Sequence, residues 1–191
     1  MRSLVFRGES ALSLTKKMRK GLATIREEKQ LAQAQENVVM LLDVSGSMGE
    51  YVEDKRKIDH LREAVRGYPS LRKVSFSSGI FDRSIPEPNG GTDMGRGFAY
   101  LRTAVGNIRE VILISDGLPD DPEEALAEAK ALRCPVNVIY IGPGGDVGEA
   151  FMQRLAAETG GRQVTVKTEE EDFSRVLQDS VRLMLPKPER R

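Results

Sequence analysis

Residues 38–47 read Val38-Val39-Met40-Leu41-Leu42-Asp43-Val44-Ser45-Gly46-Ser47: five apolar side chains in succession, then a carboxylate and two hydroxyls spaced two residues apart. An apolar run of this length without polar alternation fits a strand buried on both faces. The polar set that follows therefore stands where that strand must end.

The same pattern of short apolar runs recurs along the chain, alternating with segments of helical period. Strands are predicted over 111–114 and 136–141 as central elements, with 71–77 alternating Val74 and Phe76 against Lys73, Ser75 and Ser77. Residues 79–85 are read as a returning hairpin edge and 163–166 as a short final strand. Between them, Ile58, Leu61, Val65 and Tyr68 mark one stripe of a helix over 53–68. Asp121-Pro122-Glu123-Glu124 has the chemistry of a helix start: a side-chain acceptor, a residue with no amide donor, then acids. Leu126, Ala129 and Leu132 continue that helix. Phe151, Met152, Leu155 and Ala156 mark another, and Phe173, Val176, Leu177, Val181 and Met184 a last one starting near Thr168. Strands alternating with helices predict an α/β fold with a parallel sheet covered by helices.

Composition narrows the function classes. The 191 residues are 39% hydrophobic, enough for one core, and Lys plus Arg balances Asp plus Glu at 29 each. No global field draws in nucleic acid or an anionic membrane, so neither is expected as a partner. Charge runs such as Lys55-Arg56-Lys57 and Glu169-Glu170-Glu171-Asp172 are read as solvated faces. Cys134 is the one cysteine, which excludes an internal disulfide or a multi-cysteine zinc site and leaves a half-buried structural thiol. His60 lies off its helix's apolar stripe, with no second His or Cys in metal spacing, and is read as solvated. Without an apolar leader or a bilayer-length segment, a cytoplasmic protein is expected. Residues 1–36 read as one charged helix with a narrow stripe of Leu14, Met18, Leu22 and Ile25, docking on its own domain or on a partner. Residues 37–185 then form the domain and 186–191 a tail.

Oxygen-bearing side chains follow predicted strands in three places. They are Asp43, Ser45 and Ser47; Thr92 within Asn89-Gly90-Gly91-Thr92-Asp93-Met94; and Asp116 within Ile114-Ser115-Asp116-Gly117-Leu118-Pro119. In a doubly wound sheet, ligands bind outside the carboxyl ends of strands where the strand order reverses. Asp43 and Asp116 would flank that crevice in the order 3-2-1-4-5-6. Gly46, Gly90-Gly91 and Gly117 are read as the turns that make the approach close. Two carboxylates and three hydroxyls, with no imidazole or thiolate, suit a hard cation, and magnesium best. Asp93 is left as a helix cap or an outer neighbour.

These residues resemble the von Willebrand factor A family and its metal-ion-dependent adhesion site. Asp43, Ser45 and Ser47 match the family's D-x-S-x-S motif, Thr92 its separate threonine and Asp116 its later aspartate, over roughly residues 37–185. The resemblance implies a Rossmann-like, doubly wound, mostly parallel six-stranded sheet of order 3-2-1-4-5-6, with one antiparallel edge strand and helices on both faces. It implies a bound Mg or Mn whose shell is completed by a Glu or Asp of a partner protein, and a last helix, 172–184, that shifts with coordination. Intracellular members of the family work in multiprotein assemblies or beside ring ATPases, including MoxR-type ones, and this chain is more similar to those than to large adhesion proteins.

Two other readings stand beside a non-enzymatic binding module. A magnesium site at a strand end could serve phosphoryl transfer. Against that, Ser45 occupies the place where an aspartyl-nucleophile phosphatase would have its second carboxylate, and no G-x-x-x-x-G-K-[ST] loop is present. Alternatively the serines, Thr92 and Asp116 are turn and cap residues of a domain with a vestigial metal site.

Overall fold

The computed structural model describes residues 35–186. The expected N-terminal helix and the tail past 186 lie outside the described residues.

Six strands build the sheet: β1 (Val38–Asp43), β2 (Arg72–Phe76), β3 (Ile80–Asp82), β4 (Glu110–Ser115), β5 (Val136–Gly142) and β6 (Gln163–Lys167). Their spatial order is β3-β2-β1-β4-β5-β6. Every pairing is parallel except β2 with β3, which is the antiparallel edge hairpin expected from the sequence. Five helices cover it: α1 (Lys57–Arg66), α2 (Met94–Tyr100), α3 (Pro122–Ala131), α4 (Val147–Thr159) and α5 (Phe173–Met184). Residues Asn37–Leu185 make up this unit.

The apolar runs work because successive strand residues point to opposite faces. Val38, Met40 and Leu42 join Ile112, Ile114, Ile139 and Ile141 under α1 and α5. Val39 and Leu41 join Val111, Leu113 and Val138 under α2, α3 and α4. Each central strand thus feeds two cores, which is why its sequence shows no polar alternation.

Several sequence expectations need correction. The first helix begins at Lys57, because Tyr51–Val52 and Lys55–Arg56 pair as a small antiparallel ribbon. The last begins at Phe173 instead of near Thr168. His60 is 1% exposed, so it is a core residue: its ring nitrogens meet the Val52 carbonyl at 3.0 Å and Ser174 Oγ at 2.6 Å, and its ring meets Phe173 edge-on. Helix α1 packs on α5 as well as on the sheet, so two of its faces are buried. Lys57 also departs from the solvated reading of its charge run, at 7% exposure. Cys134 is buried, and burial pushes its thiol up from the ordinary value. Of the turn glycines, Gly90 alone takes a left-handed φ, +77°. Residues 46–49 form a single 3-10 turn that needs no glycine at 46.

Candidate metal centre

The carboxyl ends of β1 and β4 lie side by side, and both strands stop on polar residues. Asp43, the last residue of β1, is fully buried. Its Oδ1 accepts from the Ser45 amide at 2.8 Å, closing a tight Asx turn, and its Oδ2 accepts from the Ser115 hydroxyl at 2.6 Å. Ser115 is the last residue of β4. Ser45 Oγ and Ser47 Oγ are 3.1 Å apart, and the Ser47 hydroxyl donates to Asp116 Oδ1 at 2.8 Å. Asp43, Ser45, Ser47 and Asp116 are thereby linked in one hydrogen-bonded chain.

The loop that carries Thr92 is tied to the group through the backbones of Asn89 and Gly90. Gly46 N donates to the Gly90 carbonyl and Asn89 N to the Val44 carbonyl, each at 3.0 Å, which lashes the glycine loop to the turn after β1. On the other side, Thr92 N donates to Asp120 Oδ2 and Asp120 N to the Thr92 carbonyl, again each at 3.0 Å. Thr92 is itself buried, though no side-chain hydrogen bond joins it to the other four among the described residues. Asp93 is the cap of α2, accepting from the Arg96 amide.

The electrostatics show crowded negative charge. Burial, with the Asp116 carboxylate adding to it, pushes Asp43 up from 3.8 to about 6, against hydrogen bonds from Ser115 and Ser45 that lower it. Across the site, Lys57 at the start of α1 donates from Nζ to Asp116 Oδ2 at 2.7 Å and to Glu50 Oε2 at 2.6 Å. Burial draws the Lys57 ammonium down, but these two partners outweigh it and hold the group above its ordinary value. A cleft of about 530 Å³ opens here, with Ser47, Lys57, Asp116, Tyr140 and Thr168 in its walls. The Tyr140 hydroxyl donates to Asp146 Oδ2 at 2.6 Å, while Asp146 Oδ1 caps α4 by accepting from the Glu149 amide.

Two close carboxylates backed by hydroxyls, with no nitrogen or sulfur ligand, fit a hard dication, whose charge would relieve the raised Asp43. Among the described residues no group of three or more His, Cys, Asp and Glu gathers, so hydroxyls are an essential share of any such ligand set. The sequence does not assign Ser115, Asp120 or Lys57 to this edge, and Lys57 reads there only as part of a solvated charge run. Ser115 had a signal, since it shares the strand end with Asp116; Lys57 and Asp120 had none beyond their charge.

No protein-family model and no curated protein sequence matches the chain. Solved structures do. A von Willebrand factor type A protein from Catenulispora acidiphila superposes with a TM-score of 0.62 at 21% identity, over 78% of this chain and 42% of that one. Manganese-loaded TRAP protein from Plasmodium vivax gives 0.57 at 20% identity, over 81% and 75%. Proximal thread matrix protein 1 of the mussel byssus gives 0.56 at 16% identity, over 76% and 44%. The chain spans less than half the length of the Catenulispora and mussel proteins. With strand order and edge hairpin in agreement, the chain has a von Willebrand factor A-like fold.

Proposed function

We propose that the chain is a protein-interaction module, not an enzyme, which binds a Glu or Asp carboxylate of a partner protein through a Mg or Mn ion held by Asp43, Ser45, Ser47, Thr92 and Asp116. The observation that carries this reading is the hydrogen-bonded chain from buried Asp43 through Ser45 and Ser47 to Asp116, at the one sheet edge where β1 and β4 end together. The fold supports an interaction role, and manganese in the Plasmodium neighbour supports a divalent ion. When bound, such an ion supplies a Lewis-acidic position open to an incoming carboxylate.

The chain's own residues prepare that position. Ser115 and the Ser45 amide fix the Asp43 carboxylate so that it cannot rotate away. Ser45 and Ser47 contribute neutral oxygens, which would leave much of a dication's charge unquenched. The backbone ties of Gly90 to Gly46 and of Thr92 to Asp120 brace the third loop, from which Thr92 would supply its hydroxyl. A non-catalytic role is supported by His60, the one histidine, which is committed to core contacts and cannot serve as a base at this edge. A ring ATPase of the MoxR type is one candidate for such a partner.

Calorimetric titration of the chain with MgCl2 tests the reading: one site is expected, lost in Asp43→Ala. Unchanged affinity in that variant overturns it. Partner capture that survives chelator overturns the metal-dependent mode of binding.

A further inference from the structure

Lys57 does something at this edge that its charge run does not suggest. Its ammonium lies against Asp116, whose side chain has no solvent exposure, while the Lys57 side chain is itself 9% exposed. The same Asp116 carboxylate accepts from Ser47 through its other oxygen. A full positive charge is therefore already in contact with one of the two candidate acidic ligands.

Glu50 gives that charge a second partner. Its carboxylate is two thirds exposed, and its backbone is held beside Lys57 because the Lys57 amide donates to the Glu50 carbonyl at 2.8 Å. Lys57 Nζ can then release Asp116 by a small side-chain rotation and remain paired. Lys has the flexible stem and compact charge for such a move, where the planar guanidinium of Arg would hold both carboxylates in a fixed fork.

We propose that Lys57 is a resident counter-cation that competes with the divalent ion for Asp116 and yields it by moving onto Glu50, so that Lys57 and Glu50 together set the affinity of the site. The inference rests on the metal reading given under Proposed function. Its consequences follow from charge. A dication and an ammonium on one carboxylate repel strongly in a partly buried site, so Lys57 weakens metal uptake as long as it stays on Asp116. It also neutralises the buried Asp116 carboxylate, which would otherwise stand uncompensated.

Calorimetric titration with MgCl2 on the full chain tests this, with wild type, Lys57→Met, Glu50→Gln, the double variant and Lys55→Met compared. Lys55 pairs with Glu63 away from the site and controls for net charge. Lys57→Met should bind Mg at least about tenfold more tightly, and Lys55→Met within about twofold of wild type. Glu50→Gln should weaken binding several-fold in wild type yet change little in Lys57→Met, because Glu50 acts through Lys57; a double-mutant cycle reads this coupling directly. Thermal unfolding gives a second readout: in chelator Lys57→Met should melt below wild type, and Mg should raise its melting temperature by more. Equal or weaker Mg binding by Lys57→Met, with binding in wild type still abolished by Asp43→Ala, overturns the role of Lys57 and leaves the metal reading standing. Equal effects of Glu50→Gln in both backgrounds overturn the exchange onto Glu50. Absence of Mg binding in both wild type and Lys57→Met overturns the metal reading and this inference with it.

Discussion

Ser115 donates its hydroxyl to Oδ2 of Asp43 at 2.6 Å, joining the last residues of the two adjacent central strands. Both side chains are fully buried. Ser115→Ala leaves Asp43 Oδ2 without its donor and should lower unfolding stability by about 1–3 kcal/mol. Urea denaturation in chelator measures it. A loss no larger than that of an exposed serine substitution would mean that Asp43 finds another donor.

Asp43 itself gives a pH dependence with a defined sign. Its proton is held more tightly in the folded state, where the pKa is about 6 against an ordinary 3.8, because burial and Asp116 disfavour the anion. Stability from this group is therefore complete below about pH 4 and is lost as pH rises through about 6. Over that window the loss is of order 3 kcal/mol, from about 1.4 kcal/mol per unit. In chelator, Asp43→Asn should show a flatter stability profile than wild type between pH 4 and 7. Parallel profiles for the two proteins would place Asp43 in an environment unlike the one described.

What the sequence disclosed and what it hid divide along a physical line. The β1 run and its polar end are local, so the strand, the Asp43–Ser45–Ser47 turn and the Asp121 cap of α3 were legible. Strand order was legible through resemblance, since spacing alone does not specify which strands pair. Lys57 was hidden because its partner Asp116 lies 59 residues away, and His60 because Ser174 lies 114 away. A helical stripe identifies the face toward the sheet; it says nothing about a second face covered later by α5. The ribbon of 51–56 was hidden for a related reason: its paired segments have two residues each, too few for a period to register.

The buried histidine makes a prediction of its own. His60 ties the Val52 carbonyl of the ribbon to Ser174 on α5, with its ring 4.9 Å from that of Phe173. His60→Ala removes the packing and the side-chain contacts to the Val52 carbonyl and Ser174, at a cost of about 2–4 kcal/mol. Denaturant unfolding should show this at pH 7. A change below about 0.5 kcal/mol, the size of a typical surface substitution, would return His60 to solvent.

The Thr92 loop offers a test of position independent of any ligand side chain. A methyl group on Gly91 would stand 2.6 Å from Asp120 Oδ2, the atom that accepts the Thr92 amide. Contacts that short do not persist, so either Asp120 lets go of Thr92 or the loop backs away from the edge. The first outcome strips the Thr92 amide of its acceptor, and the second carries Thr92 off its position and pulls on Gly46 through the Gly90 carbonyl. Gly91→Ala should therefore weaken Mg binding by about three- to tenfold, the loss of one neutral ligand at about 1 kcal/mol. The fold should persist, because no core contact is touched, and circular dichroism checks this alongside the titration. Mg affinity equal to wild type in a folded Gly91→Ala protein would show that the Asp120 side chain does not position Thr92 for the ion.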